Sequence, residues 1–176
     1  MVYNLDEILD IISRFMVQGG DVLWLIAILT FVMWTLVFER FWYFRSGLRK
    51  DVDEALATWE GRSERKSWNA AQIRLMLISQ SNIRIKAGLP MIKTLVAVAP
   101  LLGLLGTVTG MIEVFNVMAV TGGGDAKSMA GGVSRATIPT MAGMVAALSG
   151  VFSNTYVTQI ADRECKLFED HLTTDH

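Results

Sequence analysis

Between Lys93 and Glu113 the chain runs nineteen residues, Thr94 to Ile112, without a charged side chain. At about 1.5 Å per residue, a helix of that length is roughly 28 Å long, close to the hydrocarbon thickness of a bilayer. The run holds Gly103, Gly106 and Gly110, which would weaken a soluble helix. In lipid the same glycines let neighbouring backbones approach closely. With Ala99 they are spaced 4, 3 and 4 residues apart, so they form one stripe, edged by the hydroxyl of Thr107. This helix is made to be packed against others.

Two more uncharged runs, Val22–Phe38 and Ala136–Ala161, read as spans by the same criterion. Hydrophobic residues make up 52% of the chain and charged ones 19%, and the mean hydropathy is +0.39. That is more apolar than an ordinary globular domain. A net charge of −1 gives no case for nucleic-acid binding. Cys165 is the only cysteine, which excludes an internal disulfide and a cysteine metal cluster. The N-terminus lacks a basic stretch and a small-residue cleavage site before an apolar core. The first run is therefore expected to stay in the membrane.

The remaining residues set the organisation. Asn4 is placed as an N-cap, with Asp6 and Glu7 in the first turn where they complement the helix dipole. Leu5, Ile8, Leu9, Ile12 and Met16 recur at helical spacing, so residues 4–17 form a short amphipathic helix ended by Gly19-Gly20. It lies either on the membrane surface or against the rest of the protein. Residues 1–20 are thus a periplasmic segment and 21–44 the first span. Phe41 to Phe44 run into Arg45, Arg49 and Lys50, the pattern of a cytoplasmic membrane interface.

From Arg45 to Lys93 there are ten basic residues against five acids, so residues 45–90 read as a cytoplasmic loop. Val52, Ala55, Leu56 and Trp59 give it one amphipathic helix, ended by Gly61. A second starts near Ser67 with Ile73, Leu77 and Ser81 on one face. Pro90 suits the first turn of the next helix, whose span is 91–119. The glycine-rich turn 120–128 makes the second and third spans antiparallel neighbours. The third span, 129–161, is longer than a bilayer needs and so tilts or projects. Leu167, Phe168 and Leu172 in the cytoplasmic tail, 162–176, are spaced to extend it. The fold class is an all-α integral membrane protein with three spans, N-terminus out and C-terminus in.

No nucleophile–base pair or metal-ligand cluster is present, and His171 and His176 fall in the polar tail. Gly124 to Ser128 lacks the glycine before the lysine, and the preceding strand, of a phosphate loop. An enzyme, a metal and a cofactor are therefore not expected. What stands out is a second small-residue seam on the third span: Ala136, Thr140, Gly143, Ala147, Gly150 and Asn154. Hydroxyls lie at depth on both seams, Thr107 and Thr109 on one span, Thr137 and Thr140 on the other. Singly, each is expected to bond its own helix; together they suggest a surface facing a protein-lined cavity. Glu113 and Arg135 sit near the outer helix ends, where they either pair with each other, the favoured reading, or reach the headgroups. A lone chain has few helices to cover two seams, so the residues point to an oligomer or a bound partner.

The string Ala99-Pro100-Leu101-Leu102-Gly103-Leu104-Leu105-Gly106-Thr107-Val108-Thr109-Gly110-Met111-Ile112 resembles the second-span signature of the MotA/TolQ/ExbB proton channel family. Gly131 to Ser134 leading into Thr140 to Ala147 is similar, more loosely, to its third-span signature. Within the family the short chain and brief outer N-terminus look most like an ExbB of a TonB-type system, with a TolQ of the Tol-Pal system as the rival. The resemblance implies a homopentamer in the inner membrane of a Gram-negative bacterium. Its second and third spans would line a pore holding single-span helices of an ExbD-like partner, whose membrane Asp carries the proton. Thr107 and Thr140 would face that Asp and relay protons. Gly103, Gly106, Gly110, Gly143, Ala147 and Gly150 would pack the helices around the pore, with Glu113 and Arg135 as its outer charges. The motion would pass to a TonB-like protein and an outer-membrane transporter. Five residues before Thr140 the family often carries Glu where this chain has Arg135, which would reverse the local field. A structural scaffold, with threonines that only pack, is the competing reading.

Overall fold

The computed structural model describes residues 5–61, 67–122 and 126–172. The Asn4 cap, the centre of the glycine-rich turn and His176 lie outside them. The described residues are helical nearly throughout: α1, Leu5–Trp42; a π-helical turn, Tyr43–Gly47; α2, Leu48–Glu60; α3, Trp68–Lys86; α4, Leu89–Thr121; and α5, Ala126–His171. Three helical stretches, Leu9–Glu60, Trp68–Val120 and Ala130–His171, are long and apolar enough to cross a membrane. Much of their apolar surface is exposed, Trp24, Phe31, Leu101 and Val145 among it. In water such a surface would drive association, whereas lipid tails are as apolar as these side chains.

Several local expectations are met by the backbone. Gly20 has φ 66° and ψ −166°, a break inside α1, while Gly19 before it stays helical and buried. Ser67 caps α3 by accepting from the Ala70 N–H at 3.2 Å. Pro90 falls in the first turn of α4, and α5 runs through Pro139 to His171. The chain also continues from α1 into α2 without a loop, joined only by the π-helical turn.

The chain divides into two compact units. One takes in the residues up to Met33 together with Thr94–Val151. Its core is Ile26, Ala99 and Ala146, flanked by Val22, Leu29, Leu102, Ala142 and Ala147. Small residues in the middle of that core set how near the helices lie.

The other unit takes in Trp34–Lys93 and the residues from Phe152 onward. Its core is Trp59, Ala70, Leu77, Ile78, Phe168 and Leu172, an ordinary large-side-chain interior. Two arginines satisfy helix C-termini here. Arg74 donates from Nε to the Leu172 carbonyl at 2.6 Å and from Nη2 to that of Glu169 at 3.2 Å. Arg40 donates from Nη1 to the Arg84 carbonyl at 3.3 Å. Each places a cation at the negative end of a helix dipole. At the π-helical turn the Tyr43 ring lies over Gly47, where a Cβ would be 2.7 Å away, and its hydroxyl donates to Asp51 at 2.6 Å. Lys86 pairs with Asp162 at 2.9 Å, which pushes the Lys86 pKa up. Cys165 is buried, and that burial raises its thiol pKa and keeps it from the reactive thiolate form.

Trp59 is 2% exposed and Trp68 is 76% exposed. Trp59→Ala should therefore cost about 3–5 kcal/mol and Trp68→Ala no more than about 0.5 kcal/mol. Thermal unfolding of both variants in mild detergent checks this; equal melting points would contradict the core described here.

Candidate functional site: the seam between α4 and α5

The two small-residue stripes are read best from what a side chain would meet at each glycine. A methyl group on Gly143 would sit 2.6 Å from the Ala99 carbonyl oxygen and 3.1 Å from the Gly103 Cα. One on Gly110 would sit 2.7 Å from the Ala136 Cβ, and one on Gly103 3.0 Å from the Pro139 carbonyl oxygen. Gly106 receives the Pro139 ring, and Gly132 receives Val114. Gly150 lies against Met33 of α1 and Val96 of α4, each 2.5 Å from a methyl placed there. Half-buried Ala147 borders the same core. At Gly103 and Gly143 the neighbour is the backbone of the facing helix, and at Gly106, Gly132 and Gly150 it is a side chain seated on the glycine; residues without side chains permit both.

This finding corrects one expectation. The two seams do not wait for another chain: they cover each other within this one. The reason lies in the antiparallel register, which sets Gly103 against Thr140 and Gly110 against Ala136. Pro139, inside α5, is a knob, and the hole it fills is Gly106.

The threonines follow from that closeness. Thr107 and Thr140, 33 residues apart in the chain, meet at 2.9 Å between their hydroxyl oxygens. Thr140 also donates across the seam to the Gly103 carbonyl at 2.9 Å, and Thr107 reaches the Leu104 carbonyl at 3.0 Å. Two hydroxyl protons are thus shared among three short contacts, so the pair can reorient without losing its bonding. Both residues are half-buried. Thr109 and Thr137 behave as the bland expectation has it: Thr109 bonds the Leu105 and Gly106 carbonyls, and Thr137 that of Ser134.

A second expectation is also corrected. Among the described residues no ion pair joins Glu113 to Arg135, and both are exposed. Val114 and Gly132 hold the seam at this level, which leaves the two charges on faces outside it. No group of three His, Cys, Asp or Glu that could hold a metal occurs among the described residues. A hydroxyl pair of this kind cannot store a proton as charge at neutral pH. It can accept from an acid and donate onward.

Comparison with known proteins bears on the same stretch. Residues 42–170 match the model of the MotA/TolQ/ExbB proton channel family. An ExbB-like biopolymer transport protein of Synechocystis is 47% identical over 68 residues, 37% of this chain and 27% of that protein. An ExbB homologue of Methanothermobacter thermautotrophicus is 31% identical over 126 residues, 72% of this chain and 43% of the other. The biopolymer transport protein ExbB of Xanthomonas campestris is 29% identical over 83 residues, 47% of this chain and 33% of that one. The matched stretches therefore span less than half the length of these relatives.

The packing separates two glycines of α5. A methyl on Gly143 meets backbone, whereas one on Gly131 meets nothing within 4 Å. Gly143→Ala should destabilise by about 1–3 kcal/mol; Gly131→Ala should be neutral or stabilise by up to about 1 kcal/mol. Melting temperatures of the two variants, compared in one detergent, test the opposite signs.

Proposed function

This chain belongs to the MotA/TolQ/ExbB proton channel family, and from that premise we propose that it is an ExbB-like subunit of a proton-driven motor. In this reading it resides in the inner membrane of a Gram-negative bacterium and assembles as a pentamer around single-span helices of an ExbD-like protein. Its second and third spans face the pore. The partner supplies the membrane Asp, and Thr107 and Thr140 pass protons to and from it with the help of water. A proton crossing about 100 mV releases about 2.3 kcal/mol, which can drive a packed helix between discrete positions. A TonB-like protein would carry that motion to an outer-membrane transporter, such as one for iron–siderophore uptake.

The observation that carries the proposal is the meeting of Thr107 and Thr140 at 2.9 Å. It sets two hydroxyls of different helices side by side within an apolar segment that has no carboxylate of its own between Thr94 and Ile112. The same bond supports a second reading. Interhelical hydroxyl bonds also act as glue between spans, at about 0.6 kcal/mol on average, and in a scaffold they would do nothing more.

Thr107→Ala and Thr140→Ala, made in the complex with its partner, distinguish the two. The motor reading expects the complex to assemble with unchanged stoichiometry while proton-coupled uptake falls at least tenfold, and Thr140→Ser to restore most of it. Full uptake with both alanines present would leave only the scaffold.

A further inference from the structure

We propose that Arg40 couples two breaks in the helices, so that the π-helical turn after α1 and the corner between α3 and α4 open and close as one joint. The first break is Tyr43–Gly47, where the Leu48 N–H bonds the Tyr43 carbonyl, five residues back instead of four. Returning this turn to an α-helical ladder would rotate α2 by about 100° against the end of α1. The second break is Gly88, in the left-handed region at φ 77°, between the end of α3 at Lys86 and the start of α4 at Leu89.

Arg40 touches both. Its guanidinium lies over the Tyr43 ring, 5.2 Å from the centroid, and that ring rests against Gly47. The same group packs on Gly88, where a Cβ would come within 3.0 Å of Nε. From Nη1 it donates to the Arg84 carbonyl at 3.3 Å, which also accepts from the Ala87 N–H at the close of α3. A second path runs beside the first. Tyr43 donates to one oxygen of Asp51 at 2.6 Å, and Arg84 pairs with the other at 3.5 Å. The Arg84 side chain is 62% exposed, so that ion pair is weak. Arg40, at 12%, is the main link.

An arginine that only filled a fixed corner would have its donors satisfied. Here the buried Nε finds no acceptor among the described residues, and Nη2 turns to its own chain neighbour, Glu39, at 3.4 Å. A buried donor left over marks an arrangement that is not the best one for that group, as expected of one position of two. Stacking on an aromatic face keeps its attraction as the planar group slides, so the contact can follow a change at either break. No residue of the α4–α5 seam takes part, and the coupling is independent of the proton-relay reading.

Amide hydrogen exchange of the full chain in lipid nanodiscs provides the test. The Leu48 amide reports on the first break. The amides of Ala87 and Ile92, bonded to the Arg84 and Gly88 carbonyls, report on the second. Gly47→Ala presses on the Tyr43 ring, and Gly88→Ala strains the left-handed corner. Gly47→Ala should raise exchange at 87 and 92 at least fivefold, and Gly88→Ala should do the same at 48. In an Arg40→Leu background both cross effects should vanish. Exchange at Leu77 and Ile78, in the core of the same unit, should stay unchanged, which shows the effects to be local. If either alanine loosens that core, Tyr43→Phe and Gly88→Asn take their places, since Asn tolerates the left-handed backbone. Changes confined to the substituted break, or cross effects that survive the loss of Arg40, would overturn the proposal.

Discussion

The closeness of two backbones is what the described site depends on. Where Gly143 lies against the Ala99 carbonyl and Gly103, no side chain intervenes, and the main chains of α4 and α5 are in direct contact. In a bilayer no hydrophobic effect draws helices together, because lipid competes equally well for apolar side chains. Van der Waals contact at short range must do it, and glycine gives the shortest range. The Thr140 hydroxyl reaches the Gly103 carbonyl of the other helix at 2.9 Å because of that approach. With a larger residue at 103 or 143 the threonines would stand apart.

A contrast between the two units follows from the same physics. In the unit containing the seam, the central core residues are alanines beside a single isoleucine. In the other, Trp59, Phe168, Leu77 and Ile78 are buried together. The first is the packing of close helices in lipid, and the second that of an ordinary interior. The arginines fit this division. Arg74 and Arg40, both in the second unit, meet helix-end carbonyls that in water or at a membrane interface need a donor.

Hydroxyls at depth serve two masters. Thr109 and Thr137 return their protons to their own helices, which is how an isolated threonine avoids an unsatisfied donor in lipid. Thr107 and Thr140 have each other as well. The difference is not one of residue type or of neighbours in the chain. It comes from which face each occupies once α4 and α5 are in register.

The three apolar stretches, the glycine break before the first span, a helix start near Ser67, Pro90 in a first turn and the extension of α5 to His171 were all legible in the order of residues. Each rests on local physics: hydrophobic length, backbone freedom or the satisfaction of a helix end. The family's marks on the second and third spans were legible in the same way. What only the tertiary structure decided is which surfaces meet. Two small-residue stripes look alike whether they face a second chain or each other, and the register of α4 on α5 resolves that in favour of each other. The same register turns Pro139 into a knob for Gly106 and seats Val114 on Gly132, leaving Glu113 and Arg135 unpaired with one another. It also brings together two hydroxyls 33 residues apart. Periodicity specifies the face of a helix, but the axial offset between helices depends on side-chain shape at every level of the contact at once, and no single motif encodes that sum.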